Sequence, residues 1–258
     1  MLLCTAIVAV FALTPKISQD PSYHNFADQR SLIGIPNAGD VFSNIIFLCV
    51  GVKGLYDHRH KFSKVDQYWL RILYFVGVGL TSLGSAYYHY APINATLVWD
   101  RLPMAIIFMS MLSLIIEQKL MIALGWSNIL KTAAQFITIF IGILSVLVWA
   151  VYDDLRLYIV VQFGSIIYVL YSLFNVYRQY GGPGMMLNIN LVIGIFCYIL
   201  AKICEHGDLF IFTSTHGCIS GHSIKHVLAG IGAYYSGVHI MCLGIVTNRC
   251  YVGKKVAV

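Results

Sequence analysis

The sequence predicts an all-α fold: a polytopic membrane bundle of seven transmembrane helices, preceded by an N-terminal anchor or signal segment. Three observations predict it. Of the 258 residues, 59% are hydrophobic and only 11% are charged, against about a quarter charged in ordinary soluble domains. A soluble core of this length could not absorb so much apolar side chain and still present a charged surface. Long apolar segments, near the roughly 20 residues that a bilayer-crossing helix needs, recur along the chain and are separated by polar, Gly- or Pro-containing breaks. No strand-like alternation of polar and apolar residues appears, and the segments are too long for the strands of a membrane barrel.

Residues 1–14 open with MLLCTAIVAVFAL, which stops at Thr14-Pro15. The run lacks a basic leading region and an obvious A-x-A cleavage site, so an uncleaved anchor and a cleaved signal peptide are both compatible with it. Residues 15–39 carry Pro15, Pro21, Pro36 and several charges, and read as an extracytoplasmic polar loop. Residues 40–247 form the membrane domain. Span I covers 40–56, where Asn37, Asp40 and Asn44 are expected to cap and pack the helix, with Ser43 beside them. DHRHKFSKVDQ closes it. Span II (67–91) ends at the Pro turn APINA, span III (97–116) at the amphipathic EQKLMIALGWSN, and span IV (132–151) at the acidic YDDL. Span V (156–177) ends at the Gly-Pro break RQYGGPG, and spans VI (186–204) and VII (222–246) follow. These breaks are all loop chemistry. Residues 248–258 are a short tail. No length is left for a second, water-soluble domain.

Loop charge orients the bundle. Arg59, Lys61 and Lys64 follow span I, Lys119 and Lys131 follow span III, Arg178 follows span V, and the tail holds Arg249, Lys254 and Lys255. The other side carries mainly Lys16, Arg30, Arg156 and Lys202. The positive-inside rule puts the tail in the cytoplasm and residues 15–39 outside. The net charge of +6 is then the basic flanks of spans. No run alternates Lys or Arg with aromatics as a nucleic-acid groove would need, so no nucleic-acid partner is expected. The seven cysteines contain no CxxC pair, which disfavours zinc-ribbon and thioredoxin-type sites. Cys204 and Cys218 could be joined if their loop faces an oxidising compartment.

Ionisable groups inside spans are costly, so each needs a reason. Ser85 and His89 are four apart near the end of span II and share one helix face. Asp100 lies just inside the start of span III, followed by Arg101 and Pro103. His222 and His226 form an i, i+4 pair at the start of span VII, which can offer two imidazoles to one ion. Span II runs outward and spans III and VII run inward. All five residues therefore share one membrane depth, near the non-cytoplasmic face. Three neutral imidazoles with an open fourth position describe a catalytic zinc site. Asp100 suits a general base, and Ser85 a hydrogen-bond partner for the water or the developing oxyanion. The expected chemistry is metal-assisted hydrolysis of an amide or ester of a membrane lipid. Taken singly, each residue has a plainer role: an interhelical hydrogen bond for His89, a helix N-terminal acid for Asp100, small-residue packing for Ser85. The joint placement favours the site. His24, His58, His60, His206, His216 and His239 are expected in loops or solitary positions.

The S-x-x-x-H of Ser85 and His89, the following Asp100 and the H-x-x-x-H of His222 and His226 resemble the alkaline ceramidase, adiponectin-receptor and Per1-like superfamily of seven-span hydrolases. The likeness covers about residues 23–245 and is nearest to the alkaline phytoceramidase-like branch. It rests on FADQR (26–30), GIPN (34–37), GSAYYHYAP (84–92), WDRLPM (99–104) and SGHSIKH (220–226). The resemblance implies a zinc amidase with one Zn2+ ion held by His89, His222 and His226, assisted by Ser85 and Asp100. The implied substrate is ceramide or a related N-acyl sphingoid lipid, cleaved to fatty acid and sphingoid base. Some alkaline ceramidases also hold calcium in an acidic N-terminal segment. Here Tyr23–Asp28 has few acids, so Ca2+ is not expected. Lys225 stands where eukaryotic ceramidases tend to carry an aromatic residue; it is free to snorkel outward or to meet an anionic headgroup. An ester hydrolase of phospholipids or glycolipids, using the same site, and a zinc-containing lipid receptor are the alternatives. A transporter is disfavoured, because no pair of Gly/Pro-broken spans occupies matching positions in two halves.

Overall fold

The computed structural model describes residues 10–61, 68–117, 121 and 124–255; for 179–187 and 243–255 the backbone alone is described. Among these residues every regular element is helical. A single 3-10 turn, Pro21–His24, sits in the first loop. The helices are α1 (Ala38–Ser43), α2 (Ile45–His58), α3 (Tyr68–Tyr90), α4 (Asn94–Ile116), α5 (Asn128–Tyr152), α6 (Arg156–Leu187), α7 (Ile189–His206), α8 (Asp208–Ser214) and α9 (Gly221–Lys255).

Six stretches among the described residues are long and apolar enough to cross a membrane: Ala38–His58, which joins α1 and α2, then α3, α4, α5, Arg156–Arg178 of α6, and α7. They match spans I to VI of the sequence. Span VII is helical as α9 but is not among the six. Its polar His222, Lys225 and His226 lie in the first two turns, and the apolar residues 243–246 that would complete the span are described by backbone alone. Residues 1–9 of the N-terminal segment, and the flanking Lys64 and Lys119, lie outside the described residues. Cys204 and Cys218 are both free thiols.

Helix α3 lies between α2 and α4, while α9 packs on α7 and α2, and α4 also packs on α5 and α6. Among the described residues, consecutive helices α6 and α7 touch little. The core holds Phe47, Leu70, Tyr74, Phe75, Val78, Met109, Leu114, Ile240 and Met241. In lipid the hydrophobic effect does not drive helices together, so close packing must, and small residues permit it.

One such contact positions the site. Pro103 lies inside α4 and has no N–H to give to the carbonyl four residues back, which is that of Trp99. The Trp99 carbonyl instead abuts Gly84 of α3, where any Cβ would collide with it and would crowd the Asp100 N–H. The close approach sets Ser85, the next residue, against the start of α4. Gly221 does the same for α9, where a Cβ would strike the Cys204 carbonyl at the end of α7.

The loop before α1 is tied down along its length. The Leu155 N–H donates to the Ile17 carbonyl at 2.8 Å. The Gln19 N–H donates to Asp153 at 3.0 Å and holds that carboxyl below the usual range. Buried Arg101 donates to the Gln19 side chain at 2.7 Å. Its guanidinium stacks 4.1 Å from the Trp149 ring and 4.8 Å from that of Tyr158. Desolvated contacts of this kind are worth about 2 kcal/mol.

Candidate metal centre

His89 comes from the last turn of α3, and His222 and His226 from the first two turns of α9. All three are buried. Their ring centroids are 4.7 Å apart for His89 and His222, and 4.9 Å apart for the other two pairs. One nitrogen from each ring lies within 4.8 Å of the others, and among the described residues this is the one His/Cys/Asp/Glu group that could hold a metal ion.

The donor chemistry fits a metal. His89 Nε2 and His222 Nε2 are 3.3 Å apart. Two nitrogens bonded at about 2.0–2.1 Å to one tetrahedral zinc are about 3.3–3.4 Å apart. His226 Nδ1 lies 2.7 Å from the Ser43 hydroxyl, and that hydroxyl donates to the Asp40 carbonyl at 3.0 Å. Ser43 therefore accepts from His226 Nδ1–H, a tautomer assigned from the network. The Nε2 lone pair is left buried and without a protein partner among the described residues. A buried acceptor in that state is rare unless something else occupies it.

The surroundings seat these rings. The Phe26 ring meets His89 edge-on at 4.5 Å and His222 at 4.6 Å, and covers the pair from the N-terminal loop. Asn37 donates to the His89 carbonyl at 2.8 Å. Its left-handed backbone makes no side-chain cap on α1, so the capping role expected of Asn37 is replaced by a tie to α3. Asp40 is fully buried and accepts from Ser220 and Ser223, each at 2.8 Å. Asn44 does pack α1, donating to the Asp40 carbonyl at 2.7 Å. At the start of α9 the Asp208 carboxylate accepts from the His222 N–H at 2.8 Å and from the Ala27 N–H at 2.9 Å. An acid at that end also suits the helix dipole.

Ser85 is buried and lies beside the Asp100 carboxylate. The sequence-predicted five thus fall into a histidine trio and a Ser85–Asp100 pair one helical turn before His89. Lys225 turns inward: its ammonium donates to His222 Nε2 at 2.8 Å and pairs with Glu205 at 3.1 Å. The other Glu205 oxygen takes Lys202 at 2.6 Å. A cleft of about 470 Å³ opens onto His222 between Phe26, Tyr23, Glu205 and Asp208.

In the loop, Asp28 is 1% exposed and paired with Arg30 at 2.7 Å. The Arg30 guanidinium holds its carboxyl below the usual carboxylate range. His24, expected in a loop or a solitary position, lies in the first loop and bridges Tyr88 at 2.8 Å and Asn94 at 2.9 Å.

Phe26, Ser43, Glu205 and Asp208 were not predicted as site residues. Ser43 had a visible signal, as a polar group one turn inside span I. Glu205, three residues after Lys202, reads in sequence only as half of a helix-end ion pair. A family model described as Ceramidase matches residues 36–256 of this chain. No curated protein matches it.

Proposed function

The chain belongs to the ceramidase family, and on that premise we propose that it is a zinc-dependent lipid amide hydrolase. Membership implies a membrane hydrolase that acts on an amide bond of a lipid. The finer reading is that ceramide or a related N-acyl sphingoid lipid is cleaved to a fatty acid and a sphingoid base. The observation that carries it is the convergence of three buried imidazoles from two helices with an unpartnered His226 Nε2.

In this reading His89, His222 and His226 hold the ion. Zinc bound there would lower the pKa of a water to about 7 and polarise the amide carbonyl. Asp100 accepts the proton of the attacking water and returns it to the leaving nitrogen. Ser85, which lies beside Asp100, is placed to orient its carboxylate. Phe26 keeps bulk water from the imidazole faces. The 470 Å³ cleft is large enough for a polar headgroup, and the sparse α6–α7 contact suits sideways arrival of the acyl chains from lipid.

The same reading takes α9 as the seventh span and residues 1–14 as an anchor or signal segment. It places the site near the non-cytoplasmic face, by the loop charges.

The test is hydrolysis by the purified full-length protein of a panel holding an N-acyl sphingoid lipid, a phospholipid and a glycolipid. Release of fatty acid from the N-acyl lipid is expected, and Asp100→Ala should lower it by about 10²–10⁴-fold, the usual weight of a general base. Release from the ester lipids alone would replace the amidase reading with an esterase. Zinc held tightly with no turnover on any lipid would replace it with a receptor.

A further inference from the structure

We infer that Lys225 supplies the fixed positive charge that meets the oxyanion formed on the substrate carbonyl, and that Glu205 positions it. The inference rests on the hydrolase reading above. A lysine near a helix end in lipid ordinarily extends toward water. Lys225 does the opposite, with its side chain 19% exposed and its ammonium on His222 and Glu205. Glu205 is shared: one oxygen takes Lys225 at 3.1 Å and the other takes Lys202 at 2.6 Å. Two ammonium groups on one carboxylate leave one positive charge uncancelled within that group. Lys202 is 44% exposed and is screened by its surroundings. The uncancelled charge is therefore directed inward through Lys225, toward the histidines.

The atom that Lys225 reaches is informative. His222 Nε2 is the nitrogen that also faces His89 Nε2 at 3.3 Å. A metal ion on the trio takes that same lone pair, so the ammonium must turn to another acceptor close by. Glu205 is already engaged and holds the stem in place. The carbonyl oxygen of an amide presented to the trio, with Asp100 taken up by the attacking water, is such an acceptor.

The step balances without further reagents. The water oxygen bonds to the carbonyl carbon and its proton passes to Asp100. The C=O π pair moves onto oxygen, where the Lys225 N–H donates to it. The pair then returns, the C–N bond breaks, and the nitrogen takes the proton from Asp100. Lys225 keeps its own proton throughout.

A fixed cation in this place has two effects of opposite sign. It opposes a dication on the trio, because like charges repel strongly in a low-dielectric site. It also stabilises the oxyanion, where a single lost donor costs about 10²–10³ in turnover. A purely structural lysine would move both in the same direction. The experiment uses the full-length protein, stripped of metal and titrated with zinc alone against a competing chelator, alongside kcat and KM on an N-acyl sphingoid lipid. Lys225→Gln should bind zinc more tightly, by about tenfold, while kcat falls by about 10²–10³ and KM changes little. Lys225→Arg should keep most of both wild-type values, and Glu205→Gln should lower kcat by a smaller factor than Lys225→Gln. The inference is overturned if Lys225→Gln retains wild-type kcat, or if it loses zinc and turnover together. A wild-type protein that binds zinc but hydrolyses no amide would instead overturn the hydrolase reading beneath it.

Discussion

Ser43 decides which nitrogen of His226 faces the site. Its hydroxyl is committed to the Asp40 carbonyl and so receives Nδ1–H, which leaves Nε2 as the atom that could take an ion. Partners that orient ligating histidines are typically worth 10–100-fold in metal affinity. Ser43→Ala should therefore weaken zinc binding by about that factor in a chelator competition, and Ser43→Thr should largely restore it. An unchanged affinity would remove Ser43 from the centre. The histidine trio itself was legible in the sequence, because helical spacing places His222 and His226 on one face and the alternating order of spans brings His89 beside them. Its support was not. Ser43 and His226 are 183 residues apart, and no local pattern pairs a serine on one helix with a given histidine on another. Lys225 shows the same limit: its position was visible, but its turn inward depends on Glu205, 20 residues away across a helix boundary.

At the scale of elements, the close crossing of α3 and α4 links the proline in one helix to the glycine in the other. Pro103 frees the Trp99 carbonyl, and Gly84 lets α3 approach it. Gly84→Ala must push the helices apart at the point where Ser85 meets Asp100. Overpacking of this kind costs about 1–3 kcal/mol. The variant should unfold at a lower temperature in detergent and lose turnover, yet retain zinc, because the three histidines lie on α3 and α9 rather than α4. Wild-type turnover in Gly84→Ala would contradict the coupling. The helices themselves were well marked by apolar length and by the Pro, Gly and charged breaks between them. Helix α9 was recognised as a helix, and its polar residues His222, Lys225 and His226 are gathered in its first two turns.

Across the whole molecule, seven apolar segments read from the sequence become a bundle in which α9 closes against α2, α3 and α7. That closure gathers groups from the first loop, α1, α3, α4, α7 and α9 at one end. The alternating order of spans foretold that they meet at one end, because one helix finishes where its neighbours begin. It could not foretell that the loop before α1 folds back over the histidines, since Phe26 is placed by tertiary contacts to His89, His222 and Tyr88. The central claim is that these converging histidines hold a zinc ion on which lipid amide hydrolysis depends. The most direct measurement is zinc content and fatty-acid release for purified wild-type and His226→Ala proteins side by side. The account predicts about one zinc ion per wild-type chain, release of fatty acid from an N-acyl sphingoid lipid, and loss of both in the variant. Retention of zinc and turnover by His226→Ala would contradict it.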